Sequence, residues 1–337
     1  MARFHSRFLH SFAFLLYATL ISLSSSTLES DFSIIDSDSD SEVLLFHQDY
    51  SPPAPPPPPP HAPSVSCTDD LGGVGSLDTT CKIVDDVNLT RDVYIAGKGD
   101  FYVLPGVRFH CPIAGCSITL NISGNFSLGE NSTIVTGTFE LAASNATFFN
   151  GSAVNTTGWA GDPPPQTSGT PQGVDGAGGG HGGRGACCLV DDGKLPEDVW
   201  GGDAYSWSSL QEPWSYGSKG GTTSKEADYG GGGGGRVKME VKGLLDVNGS
   251  FLADGGDGGN KGGGGSGGSS LGCPDNAGAA GTLYDAVARS LTVDNYNMST
   301  DTDTLLLEFP YQPLWTNVYV RNYARAAVPL LWSRVQV

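Results

Sequence analysis

Short runs of alternating apolar and polar residues recur along the chain, and the clearest of them lies between Arg236 and Ala253. Apolar side chains occupy every second position there, and the pair Asn248-Gly249 separates the last two runs. Strict alternation over such short runs predicts strands with one buried face. Glycine runs at 230–235 and 262–265 favour turns and exclude helix. The stretch therefore predicts strands that alternate with glycine turns.

The block from 67 to 160 repeats this arrangement, with short β-rich runs separated by Gly, Asn, Asp or Ser. The run Asn125–Leu128 returns 20 residues later as Asn145–Phe148. A near-period of this length is typical of a solenoid, in which each coil buries its apolar residues against the next. We therefore expect a mainly β fold, namely a β-solenoid similar to a right-handed parallel β-helix. A β-sandwich, which also has many short strands, is the alternative.

Composition divides the chain into five predicted segments. Residues 1–26 have the basic start, the short apolar core and the small residues of a secretory signal peptide, with an uncleaved anchor as the alternative. Residues 27–66 form an acidic, proline-rich, disordered linker. Residues 67–160 are coils, 161–229 are an irregular Gly- and Trp-rich excursion, and 230–337 are coils again. The last alternating run has no polar cap, so we expect a truncated product of a longer protein.

Charge and hydropathy exclude several partners. The net charge of -18 opposes binding to nucleic acid, which needs clustered Lys and Arg. Beyond the signal peptide, no apolar run reaches the roughly 20 residues that a membrane helix needs, so we expect no membrane span in the mature chain. These features fit an acidic protein of the secretory pathway. We expect it outside the cell, in the cell wall, or in the vacuole.

A secretory route predicts oxidised cysteines and glycosylated asparagines. We expect the local disulfides Cys67–Cys81 and Cys111–Cys116, although sequence alone leaves the connectivity open. The other three cysteines are Cys187, Cys188 and Cys273. Zinc binding by His181, Cys187 and Cys188 is disfavoured, because adjacent cysteines do not have the usual ligand spacing. Nine N-glycosylation sequons begin at Asn88, Asn121, Asn125, Asn131, Asn145, Asn150, Asn155, Asn248 and Asn297.

Two stretches carry a family resemblance. The run Gly179–Cys188 and the segment from Cys273 through Tyr284 to Val337, with the motif Leu305–Trp315, resemble the N-terminal part of the large glycine-rich proteins of plants. The resemblance covers residues 67–337. It implies β-helical coils, a route through the secretory pathway and, in longer relatives, a C-terminal membrane span that this chain lacks.

The candidate chemistry is limited to carbohydrate. Trp200, Trp207 and Trp214 are candidates for stacking on sugar rings, with packing against the coils as the alternative. A single Asp254-Gly-Gly-Asp257 motif is a weak calcium signal. The pair Asp191-Asp192 only faintly matches the carboxylates of pectin-cleaving β-helices. We therefore predict no catalytic residue, no metal and no cofactor. The expected function is a structural or cell-wall-binding glycoprotein with polysaccharide as its partner, and a pectin-lyase-like enzyme is the alternative.

Overall fold

The computed structural model describes residues 63–164, 166–169, 176–181, 184–186, 201–204, 214–222, 224–259, 264–265, 278–295, 297, 303–306 and 315–328. These residues form a mainly β fold. The predicted signal peptide and most of the predicted linker lie outside them. The described part contains no helix with the length and apolar character needed to cross a bilayer.

Twenty strands are present in the described residues. Those before the excursion are β1 Val74–Gly75, β2 Thr80–Ile83, β3 Val87–Asn88, β4 Val93–Gly97, β5 Asp100–Val103, β6 Arg108–His110, β7 Ser117–Ile122, β8 Asn125–Leu128, β9 Thr133–Val135, β10 Thr138–Ala143, β11 Asn145–Phe148 and β12 Ala153–Asn155. Those after it are β13 Arg236–Val241, β14 Leu245–Val247, β15 Ser250–Leu252, β16 Gly281–Asp285, β17 Ser290–Asp294, β18 Thr304–Leu305, β19 Asn317–Arg321 and β20 Ala326–Ala327.

Strands β1 to β15 form three sheets, and the chain visits the sheets in turn. The first sheet has the order β1-β2-β5-β8-β11-β14, the second β4-β7-β10-β13, and the third β3-β6-β9-β12-β15. Every pairing in these sheets is parallel except the antiparallel pair β1–β2. A β-sandwich is built from antiparallel pairs. The predicted β class is confirmed, and the parallel pairing differs from that of the sandwich alternative.

The sequence repeat is also the spatial repeat of these sheets. Residues Asn145–Phe148 pair one for one with Asn125–Leu128, and Val154 pairs with Ile134. The run after the excursion joins the same sheet, since Ala146 pairs with Leu245. The predicted 20-residue offset is therefore confirmed for β8 with β11 and for β9 with β12, whereas the step from β5 to β8 is 25 residues.

The core lies between the three sheets and consists of the inward side chain at every second strand position. A column of phenylalanine rings runs along it. Ring centroids are 6.3 Å apart for Phe101 and Phe126, 5.5 Å for Phe126 and Phe148, and 4.8 Å for Phe148 and Phe251. Burying one such side chain contributes about 1.5–3 kcal/mol, so this column is a main source of stability.

The N-terminal end of the three sheets is closed. The disulfide Cys67–Cys81 ties the segment before β1 to β2, and β1 pairs with the edge of β2. Val65 N donates to Tyr94 O at 2.9 Å, and Ala96 N donates to Ser64 Oγ at 2.9 Å. Ordered contacts thus begin inside the segment predicted as linker.

Both predicted disulfides are present. Besides Cys67–Cys81, the bond Cys111–Cys116 closes the turn between β6 and β7. Cys187, Cys188 and Cys273 lie outside the described residues.

The excursion is an insertion in a single corner of the sheets. Strands β9 and β10 are joined by Thr136 and Gly137, whereas β12 and β13 are joined through the excursion. Thr156 follows β12 and Gly235 precedes β13, and Gly235 N donates to Thr156 O at 2.9 Å. The chain therefore leaves and re-enters the sheets at one point, in register with the strands below.

Three glycine-rich segments of the excursion and the glycine run that follows it lie next to one another. We call these four segments the glycine bundle: 176–180, 201–202, 217–221 and 230–235. Gly217 N donates to Gly234 O and Gly220 N donates to Gly231 O, both at 2.9 Å. The pairs are three residues apart on each segment, which is the period of a polyproline II helix. That helix has no internal hydrogen bonds, so its backbone groups must find partners on neighbouring segments.

The bundle requires glycine at its contacts. A Cβ atom on Gly202 would overlap the carbonyl oxygen of Thr167, and one on Gly233 would overlap that of Gly217. Any side chain at these positions would push the backbones apart and break the hydrogen bonds between them.

A smaller β unit follows, with the sheets β16-β17-β19 and β18-β20. Its core is formed by Ala280, Leu291, Val293 and Leu306. In the first of these sheets β16 and β17 pair antiparallel, whereas β17 and β19 pair parallel.

Candidate functional site

The outer face of the second sheet carries two rows of polar side chains. The strand register places Tyr94, Thr119, Glu140 and Lys238 side by side across β4, β7, β10 and β13. The next outward row includes Asn121 and Glu240. These rows face outward because their neighbours in the strands, such as Leu120 and Leu141, are buried.

A shallow groove of about 140 Å³ lies between the two rows. It is smaller than the pockets of roughly 300–1,000 Å³ that enclose small molecules. Its floor is a sheet, and it is open above. This shape suits an extended ligand that lies across the strands, rather than one that is enclosed.

The groove offers a dense set of hydrogen-bonding groups. Lys238 Nζ lies 3.0 Å from Glu240 Oε1, and Asn121 Nδ2 donates to Tyr94 Oη at 3.2 Å. With Glu140, these residues present an ammonium, two carboxylates, an amide and a phenol. Ligands with many hydroxyl groups can both donate to and accept from such a set.

An aromatic clamp stands at one end of this face, formed by Trp214, Tyr216 and Arg236. The Arg236 guanidinium carbon is 4.2 Å from the centroid of the Trp214 ring and 4.1 Å from that of Tyr216. Arg236 Nη1 donates to Trp214 O at 2.7 Å, and its Nε donates to Thr138 Oγ1 at 3.1 Å. Cation–π contacts and hydrogen bonds together hold the excursion on the sheet.

The clamp shows what one of the predicted sugar-stacking residues does. Trp214 is half-buried, and one face of its ring covers Arg236, which is the packing role. Trp200 and Trp207 lie outside the described residues. Sugar stacking by these three residues stays a prediction.

Sequence reasoning missed the residues of the groove. Tyr94, Thr119 and Glu140 are the polar members of three alternating runs, so alternation alone marks them as outward-facing. Nothing in the sequence shows that Lys238 is the next member of that row, because the excursion separates β12 from β13.

Eight of the nine sequon asparagines are exposed, and Asn155 is half-buried. Asn121 lines the groove itself. Glycosylation at these positions stays a prediction, and exposure is compatible with it at all the exposed ones.

Two of the sequon asparagines form a polar ladder at one corner of the sheets. Asn145 Nδ2 donates to Asn125 Oδ1 at 2.8 Å, and Asn125 Nδ2 donates to Asp100 Oδ1 at 3.1 Å. The backbone N–H of Asn125 also donates to Asp100 and lowers the pKa of that carboxyl. Burial raises the pKa of Tyr102, whose hydroxyl donates to Asp100.

The candidate metal ligands do not converge in the described residues, which contain no group of three or more His, Cys, Asp or Glu side chains placed to hold an ion. His181 is buried in the glycine bundle, and desolvation lowers the pKa of its imidazole. Burial raises the pKa of Asp254, and the charge of Asp294 adds to that shift. Cys187, Cys188 and the faint catalytic pair Asp191-Asp192 lie outside the described residues.

Comparison of the chain with known family models, curated protein sequences and solved structures finds no match.

Proposed function

We propose that the chain is a secreted glycoprotein whose stacked strands form a β-solenoid and whose second sheet binds cell-wall polysaccharide on its outer face. The observation that carries this proposal is the groove beside the aromatic clamp. An open row of hydrogen-bonding side chains on a sheet, next to aromatic rings, suits the alternating polar edges and apolar faces of a sugar chain.

Three further features support a role outside the cell. Two disulfides are present, which persist in oxidising compartments. Most sequon asparagines are exposed. The resemblance to plant glycine-rich proteins adds the secretory pathway as the expected route.

The test is binding of the secreted chain to an array of plant polysaccharides after its N-glycans are removed, because a glycan on Asn121 would fill the groove. The variant Glu140→Gln/Lys238→Ala removes two charges from the groove, and we expect it to weaken binding by about tenfold or more, because each lost charged hydrogen bond is worth about 1.5–3 kcal/mol. The matched control is Lys82→Ala, since Lys82 is an exposed lysine on the outer side of β2 in the first sheet. Binding that is equally strong in both variants would move the site elsewhere, and no binding by the folded wild type would refute the proposal.

One observation favours a glycan-cleaving enzyme as the second candidate. Glu140 and Glu240 lie on one face as diagonal neighbours on adjacent strands, with Cα atoms about 8 Å apart from strand spacing and rise. Inverting glycosidases likewise use two carboxyl groups on either side of the scissile bond, with room for a water molecule. Against this, Glu240 is exposed and ion-paired with Lys238, whereas a general acid must carry a proton.

Release of reducing ends from the bound polysaccharide decides between the two candidates. We expect none from the wild type. Release that Glu140→Gln and Glu240→Gln each abolish would establish the enzyme instead.

A further inference from the structure

The two ends of the three sheets differ. The N-terminal end is covered by the segment that Cys67–Cys81 holds in place, and Leu71 within this segment is buried. At the other end, β13, β14 and β15 are the terminal strands of the second, first and third sheets in the described part of the chain. We call the surface formed by these three strands the open end.

The open end exposes residues whose counterparts elsewhere are buried. Leu245 is 42% exposed, whereas its neighbours in the same inward column, Ala146 and Phe126, are 0% and 1% exposed. Val247 is 42% exposed, and its neighbour Phe148 is 1% exposed. Each inner layer gains its burial from the strands above and below, and among the described residues the open end lacks one such layer.

A surface of this kind recruits another strand. It combines strand edges with an apolar layer, which is the arrangement that β-strand addition uses. Strand edges are usually protected by charges, and β13 carries Lys238 and Glu240. Those two charges, however, have opposite signs and sit symmetrically about Met239.

The sequence of β13 is self-complementary. In Val237-Lys238-Met239-Glu240-Val241, antiparallel pairing with a second copy centred on Met239 places Lys238 opposite Glu240 and Val237 opposite Val241. The apolar residues then face the core side and the charges face outward, as they do within each chain. Opposite charges directly across a strand pair stabilise it.

We infer that the open end joins two copies of this chain into a two-fold dimer through antiparallel pairing of β13 with β13. A head-to-tail stack is excluded because the opposite end is already covered. A two-fold contact uses the same patch on both copies and is therefore closed, so assembly stops at two. The dimer would extend the second sheet from four strands to eight.

The test is the mass of the full secreted chain by sedimentation velocity over a concentration series, without polysaccharide. We expect a concentration-dependent dimer. Lys238→Glu alone places two pairs of like charges across the two-fold axis and should raise the dimer Kd about tenfold or more. Glu240→Lys alone should do the same, and the double swap Lys238→Glu/Glu240→Lys should restore the wild-type Kd.

The controls separate this contact from general effects of charge and folding. Lys82→Glu makes the same charge change at an exposed position of β2, near the covered end, and we expect no change in the dimer. Circular dichroism checks that each variant keeps its strands, and enzymatic deglycosylation checks that a glycan at Asn248, beside β14, does not hide the contact. A wild type that stays monomeric after deglycosylation, a series of higher oligomers, or a double swap that fails to restore the dimer would each overturn the inference.

Discussion

The sheets and the glycine bundle are two different solutions to the problem of burying a backbone. In the sheets, apolar side chains such as Phe126 and Ile134 fill the space between strands and are almost fully buried. In the bundle, the buried residues are largely glycines, and backbone hydrogen bonds join neighbouring segments. Side-chain cores tolerate apolar substitutions that keep the total volume nearly constant. A backbone core has no such tolerance, because the first added carbon already meets the next segment.

The largest effect is expected from a single added methyl group in the bundle. Gly233→Ala places a Cβ on the carbonyl oxygen of Gly217, so we expect a loss of more than about 4 kcal/mol of stability in the bundle. Gly281→Ala is the matched control, because its Cβ would meet only Asp294 O at 3.9 Å and should change stability by less than about 0.5 kcal/mol. Hydrogen exchange over 176–235 measures both, and equal protection in the two variants would contradict the backbone core.

The next effect concerns the sheets. Phe126→Ala leaves a cavity in a fully buried ring column and should lower the free energy of unfolding by about 3–5 kcal/mol in urea titration. Leu245→Ala, in the same inward column at the open end, should lower it by about 1 kcal/mol, because Leu245 is already 42% exposed. A loss as large for Leu245→Ala would mean that another layer covers the open end.

The disulfides should contribute less than the core. Replacing Cys67 and Cys81 by serine opens a loop with a sequence separation of 14 and should lower the stability of the sheets by about 3 kcal/mol. The same change at Cys111 and Cys116, separated by 5, should lower it by about 2 kcal/mol. Thermal unfolding with and without reductant measures both, and protection within the bundle should not change. A larger effect from the shorter loop would show that strain, rather than chain entropy, dominates.

The smallest effect on stability at neutral pH is that of His181. Its effect on the stability of the bundle grows only as the pH falls. Burial holds the pKa of His181 below its ordinary value of 6.5, so the unfolded chain takes up a proton at a pH where the folded bundle does not. The stability contributed by the neutral imidazole is present above about pH 6.5 and is lost as the pH falls below it. We expect hydrogen-exchange protection of the bundle to decrease from pH 7.5 to 5, while that of the sheets is unchanged. A parallel decrease in both regions would assign the effect to other groups.

The sequence predicts the sheets much better than the bundle. Alternation and the 20-residue offset locate β8, β9, β11 and β12, because each strand displays its buried face in its own residues. The two expected local disulfides are also present, although the sequence alone left their connectivity open. Glycine segments have no such alternation of apolar and polar residues, since a hydrogen bond between two backbones does not depend on the type of side chain. The bundle was therefore predicted only as an irregular excursion.

The groove could be predicted only in part for a related reason. Alternation marks Tyr94, Thr119 and Glu140 as outward-facing, but they are 25 and 21 residues apart, and the 20-residue repeat does not give these steps. Lys238 and Arg236 come back to the same sheet only after the excursion. A register that depends on a distant return point is set by the tertiary fold and not by local pattern.

The short distance between Thr156 O and Gly235 N makes the excursion separable from the rest of the chain. Joining those two residues directly would give a Thr-Gly dipeptide, the same pair that turns the preceding corner at Thr136 and Gly137. The corner can therefore be closed by two residues or by a folded insert, since both begin and end at the same place. One inserted segment could therefore replace another between Thr156 and Gly235 without altering the register of the neighbouring strands.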